Sequence, residues 1–73
     1  MLSLEVNIYN MKVNDFLENV ATGTELSIQN AKSGVRYYDG YVRDYFISDV
    51  VKKDLRVHCI SVCDDLMIIE TIN

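Results

Sequence analysis

Five residues near one end of the chain are of types that could hold a metal: His58, Cys59, Cys63, Asp64 and Asp65. Zinc donors must converge at about 2.0–2.3 Å from one ion, usually from a tight Cys-x-x-Cys turn. Here the cysteines are four positions apart in a segment that reads as a strand. A strand rise of ~3.3 Å per residue separates them by about 13 Å. A disulfide requires Cα atoms within roughly 7 Å. His58 points to the strand face opposite Cys59. The spacing favours two half-buried thiols behaving as small apolar residues. Nucleophilic catalysis finds no better footing. His58 is the only histidine. Ser61, three positions on, faces the other side of a strand, and no second group is placed to orient the imidazole. Asp64-Asp65 reads as a hairpin tip. Gly23, Gly34 and Gly40 are too far apart to form a phosphate loop. We therefore expect no catalytic residue, no metal and no cofactor, and hence no enzyme.

The tyrosines carry more. Four of the chain's five fall within Arg36-Tyr37-Tyr38-Asp39-Gly40-Tyr41-Val42-Arg43-Asp44-Tyr45. Aromatic platforms beside basic side chains stack bases and hold phosphates in single-strand binders. Tyrosine and arginine are also over-represented in protein-interface hot spots. A third reading is plain scaffold, because tyrosine packs well on a pleated, half-buried surface. Arg36, Tyr37, Tyr38, Tyr41, Arg43 and Tyr45 are thus the candidate binding residues.

These residues need elements to hold them. Leu2, Leu4, Val6 and Ile8 alternate with polar residues, the period of a half-buried strand. From Met11 the period changes. Val13, Phe16, Leu17 and Val20 sit at i, i+3, i+4 and i+7, one stripe of an amphipathic helix of about three turns. Asn10 or Asn14 suits its start and Gly23 a left-handed stop. From Glu25 the period returns to two, with Leu26 and Ile28 inward. Asn30-Ala31-Lys32-Ser33-Gly34 is a hairpin signal. Val35 to Phe46 reads as one long strand bent at Gly40. Ser48 to Asp54 reads as a single helical turn. Leu55–Cys63 and Leu66–Ile72 form a hairpin about Asp64-Asp65.

The expected architecture is α+β and mainly β, in a single domain spanning residues 1–73. Short strands joined by tight turns suggest a small barrel. We expect a strongly bent five-stranded barrel of Sm-like or SH3-like layout, with one N-terminal amphipathic helix and an extra N-terminal strand. Strands 2–8 and 66–72 are apolar enough to be edges that pair between subunits. Leu4, Val6, Ile8, Met67 and Ile69 are the candidate residues there, and a homo-oligomer, a dimer first, is expected.

Composition bounds the partners. The chain carries 7 basic and 11 acidic residues, a net charge of −4. That disfavours a general polyanion binder. Residues 31–56 run against the trend, with six basic and four acidic side chains, a net +2. A local anion site in the middle of the chain is therefore allowed. No apolar run approaches the ~20 residues of a membrane span, and no export signal is visible. A cytoplasmic setting with reduced thiols, and no membrane partner, is the expectation.

Two stretches together carry a resemblance. MKVNDFLENV, from Met11, resembles the opening of small uncharacterised phage and prophage proteins of Gram-positive bacteria, which begin Met-Lys-Val-x-Asp-[Phe/Leu]-Leu-Glu. Such proteins continue with a glycine-containing strand, here GYVRD from Gly40. They end in a hairpin of the form Ile-x-Val-x-Asp-Asp-x-Ile-Ile-Ile, here ISVCDDLMIIE from Ile60. Residues 1–10 stand ahead of Met11, where the resembling proteins start. The resemblance implies a Sm-like or SH3-like barrel and an accessory role in a bacterial host. That role is binding a host protein, in its sharper form as an anti-defence inhibitor of the anti-CRISPR type. The alternative is a nucleotide- or RNA-binding module, including a sponge for a signal nucleotide.

Overall fold

Alternating apolar residues make strands here because a period of two can bury one face of a sheet. The computed structural model describes residues 2–5, 11–48 and 54–72, with the backbone course alone for 2–5. Five strands result: β1 (Leu2–Glu5), β2 (Glu25–Asn30), β3 (Arg36–Tyr41), β4 (Val57–Cys63) and β5 (Leu66–Thr71). Two short helices accompany them, α1 (Val13–Leu17) and α2 (Val42–Ile47). The fold is α+β and mainly β.

The sheet runs β1-β4-β5-β2-β3. Neighbours are antiparallel except β2 and β5, which are parallel. This corrects the expected closed barrel. A meander joined by tight turns would be antiparallel throughout, whereas β2 and β5 are brought side by side by a long crossover. Among the described residues β1 and β3 end the sheet and do not pair with each other, so no closed barrel is seen there.

Both predicted hairpins form, for local reasons. The Asn30 side-chain oxygen accepts from the backbone N–H of Lys32 at 2.9 Å and of Ser33 at 2.8 Å. Gly34 then closes the turn at φ +74°, a conformation that a side chain would disfavour. In the β4–β5 hairpin, Cys63 pairs with Leu66. Asp64 and Asp65 between them have φ 50° and 67°. Two positive φ values in a two-residue loop match the twist of the strands it joins, and aspartate tolerates that region.

The helical stripe lands as its spacing demands. Val13 and Leu17 are buried, and Phe16 and Val20 pack against the same core. The helix itself is five residues rather than three turns, with no side-chain cap on its start at Lys12. After Leu17 the chain tightens into i→i+3 bonds, Asn19 to Phe16 and Val20 to Leu17. The helix is therefore spent before Gly23, which does not take a positive φ. Helices this short hold through packing, here helped by Val13 N–H donating to the Leu55 carbonyl at 2.8 Å. The expected helical turn at Ser48–Asp54, the cap at Asn10, and the edge residues Val6 and Ile8 lie outside the described residues.

The second correction concerns Val35 to Phe46. The strand ends at Tyr41, and residues 42–47 turn back as α2. The opening N–H groups of α2 find carbonyls in the loop before β2, Val42 on Thr24 at 2.9 Å and Arg43 on Thr22 at 3.1 Å. Val42 and Tyr45, three apart, go inward and are 0% and 1% exposed. A helical pair of buried positions inside residues of high strand propensity is a case where packing overrides propensity.

Gly40 lies in the strand just before this reversal. The Tyr38 ring crosses over it and donates its hydroxyl to the Tyr41 carbonyl at 2.7 Å. A Cβ at position 40 would sit 2.7 Å from that hydroxyl oxygen and 3.1 Å from Cζ. Gly40→Ala should therefore cost about 1–2 kcal/mol by displacing the ring. In a Tyr38→Ala background the same change should be neutral or stabilising, since alanine is a better strand residue than glycine. Equal costs in the two backgrounds, measured by denaturant unfolding, would show that the ring does not require the glycine.

Candidate functional site

The reversal at Tyr41 sorts the tyrosine-rich segment into two groups. Tyr38 and Tyr45 are turned toward one another. Their ring centroids are 5.3 Å apart at 80°, an edge-to-face contact. Tyr45 makes a second such contact with Phe46 at 5.5 Å and 77°. Its hydroxyl donates to the Asn14 side-chain oxygen on α1. Buried tyrosines ordinarily find such a partner. Tyr45, proposed from the sequence as a contact residue, is thus a core residue. Tyr38 is half-buried and packs against the same core. Burial raises the Tyr45 phenol above the ordinary tyrosine value. Tyr38 is raised too, by burial first and then by the negative field of Asp44 and Asp39.

Tyr37 is intermediate. Its ring packs against the core, and its hydroxyl accepts from the Asn30 side-chain amide at 3.4 Å. It lies where the β2–β3 register shifts, between the pairs Ile28–Tyr38 and Gln29–Arg36.

Tyr41, Arg36 and Arg43 remain at the surface. Tyr41 is 47% exposed at the end of β3, which has no strand neighbour on its outer side among the described residues. The Arg36 guanidinium stands 3.7 Å from Asp39, and Arg43 Nε 3.8 Å from Asp44. Both pairs are well exposed, so each is worth about 0–1 kcal/mol and either arginine is easily released to a partner. Two further large side chains are exposed just after them in the chain and were not singled out from sequence. Phe46 and Ile47, on α2, are 46% and 81% exposed. The helical spacing of Val42, Tyr45 and Phe46 was the available signal, but strand alternation fits the same residues.

The other candidates separate. Met67 and Ile69 stand on β5, which is hydrogen-bonded to β4 on one side and β2 on the other. They form no sheet edge, and Ile69 is fully buried. Leu4 lies on β1, which does end the sheet. His58 is exposed, at a register shift between Val57 and Cys59. Cys59 and Cys63 are half-buried thiols, and the Cys63 thiol lies 3.9 Å from an Asp64 carboxylate oxygen. Among the described residues no three His, Cys, Asp or Glu side chains gather as a metal site requires. No helix among them is long and apolar enough to cross a membrane.

The two groups of tyrosines should behave differently. Folding favours the neutral phenol of Tyr45, so that contribution is fully present below the unfolded value near ~10 and is lost as pH rises through the higher folded value. An alkaline titration followed by tyrosinate absorbance should show a late component that shrinks in Tyr45→Phe, the remainder belonging to Tyr38. Tyr45→Ala should cost about 3–5 kcal/mol, as loss of a buried ring does. Tyr41→Ala should stay within about 0.5 kcal/mol. Similar losses at the two positions in chemical denaturation would contradict this division.

No protein-family model matches the chain, and no curated protein and no solved structure is significantly similar to it.

Proposed function

We propose that this chain is a non-enzymatic accessory protein of phage or prophage type that works by binding a host protein in the bacterial cytoplasm. Its sharper form is an inhibitor of a host defence system, of the anti-CRISPR kind. The observation that carries the binding reading is the run of exposed Arg36, Tyr41, Arg43 and Phe46 along an edge strand and the helix that follows it. Large amphipathic rings and guanidinium groups on a preformed surface lose little entropy on docking and dominate interface energetics. The phage setting is supported by the sequence resemblance from Met11 onward.

A second reading is favoured by one feature, the exposed Tyr41 ring with Arg36 and Arg43 exposed on either side of it in sequence. That set could stack a base and hold a phosphate. The carboxylates of Asp39 and Asp44 beside the arginines oppose it. Self-association is also part of the proposal. With β5 internal, β1 around Leu4 and β3 are the edges through which a dimer would form.

Affinity capture from a Gram-positive host lysate tests the leading reading. A protein partner should be retained by the wild type, and Tyr41→Ala and Arg43→Ala should each weaken retention about tenfold or more with the melting temperature unchanged. Unchanged retention in both variants would remove this surface from the function. A co-purifying species absorbing in the nucleobase band and lost in Tyr41→Ala would transfer the assignment to the second reading. Light scattering at high micromolar concentration should return a mass above the monomer's; a monomer there would defeat the dimer.

A further inference from the structure

Among the described residues, α1 and α2 pack against one face of the sheet. Ile28, Ile69 and Ile60 lie opposite one another on β2, β5 and β4, and all three are buried with Val13, Leu17, Val42 and Tyr45 from the two helices. Residues one position along must face the other way. The register sets Asp39, Ser27, Ile68 and Ser61 in a single row across β3, β2, β5 and β4 on that outer face. Tyr41, Glu25 and Leu66 are aligned in the row on one side, so the exposed Tyr41 ring belongs to this face, and Glu70 stands in the row on the other.

The composition of these rows is that of a docking surface. In the middle, Leu66, Ile68 and Ser61 are half-buried, short or apolar, and offer a flat floor. Around them stand the carboxylates of Glu25, Asp39 and Glu70. Glu5 holds the corresponding register position on β1, opposite Cys59. Asp64 and Asp65 project from the hairpin at the Leu66 end. Arg36, opposite Gln29, is the basic residue of these rows among the described residues, and it is engaged with Asp39. An apolar centre inside a charged rim is the ordinary anatomy of a protein interface. With Arg36 taken up by Asp39, the rim here is predominantly acidic.

We infer that this outer face docks a protein surface of the opposite character, an apolar centre bordered by lysine or arginine side chains. The inference rests on the reading of the chain as a binding protein, and it adds which face the partner covers and what charge the partner carries. A second copy of the chain is a poor occupant, because it would set the same carboxylates against each other. Nucleic acid and anionic membrane are repelled for the same reason. A partner that only extended the sheet at β3 would leave this face open, which makes the two modes separable by experiment.

The probe is a short amphipathic helical peptide with a leucine stripe bordered by lysines, titrated into the isotope-labelled full chain and followed by amide NMR. Shifts should map to Ser61, Leu66, Ile68 and Glu70 and leave Phe46 and Ile47 unmoved. Affinity should fall as salt is raised. Glu25→Gln with Glu70→Gln should weaken binding about three- to tenfold, and decalysine, which lacks the apolar stripe, should bind more weakly than the peptide. Ile68→Lys should abolish binding while the core amides of Ile28 and Ile69 keep their positions. Shifts confined to β3 and α2, equal affinity in the charge-neutral variant, or no binding at millimolar peptide would each overturn the assignment. Concentration-dependent shifts of the outer-face amides without peptide would make a second copy the occupant and overturn it as well. Failure here with host capture intact removes the outer face alone; failure of host capture by the wild type removes the binding reading itself.

Discussion

Tyr45 is the residue on which the rest of this small structure depends. One ring ties three elements together: it lies on α2, stacks edge-to-face on Tyr38 of β3, and donates its hydroxyl to Asn14 on α1. A chain of 73 residues buries a thin core. A large ring fully enclosed in it supplies a disproportionate share of the burial. Its polar tip must also be satisfied, and among the described residues no buried side-chain nitrogen or oxygen lacks a partner. The chain reversal at Tyr41 follows from the need to bring this ring under the sheet. Gly40 permits that reversal, because the Tyr38 ring occupies the space where a side chain at position 40 would stand.

Once Tyr45 is committed to the core, the tyrosine-rich segment cannot act as a continuous aromatic platform. Half of it is scaffold. What remains outward is a smaller set, Tyr41 with Arg36 and Arg43, and, at the end of α2, Phe46 and Ile47. Each arginine is held loosely by an exposed carboxylate nearby. Such pairs do little for stability and are readily exchanged for a partner's groups.

The parallel pairing of β2 with β5 has a second consequence. It places the last strand in the interior of the sheet, where its apolar residues are covered on both sides by neighbours in the hydrogen-bonding direction. Residues that read as an exposed edge, Met67 and Ile69, instead complete the core layer. Edge character passes to β1 and β3, and the acidic residues of β2, β3 and β5 are gathered on one outer face. A charge of modest size along the chain becomes directional in space through register alone.

The amino-acid sequence by itself determined the local features: the strand periods, the α1 stripe at Val13 and Leu17, the Asn30–Gly34 turn and the Asp64-Asp65 hairpin. Each of these depends on contacts within a few residues, through turn chemistry, capping oxygens or the alternation of a pleat. Tertiary structure decided the path after Tyr41, the pairing partner of β5 and hence which residues are edges. Val42 to Ile47 favours strand by propensity and allows a helix by spacing. Only the carbonyls of Thr22 and Thr24, supplied from a distant loop, and the cavity that receives Tyr45 resolve that choice. Strand order is likewise a long-range matter, because the same alternating pattern would bury one face equally well in several arrangements of the sheet.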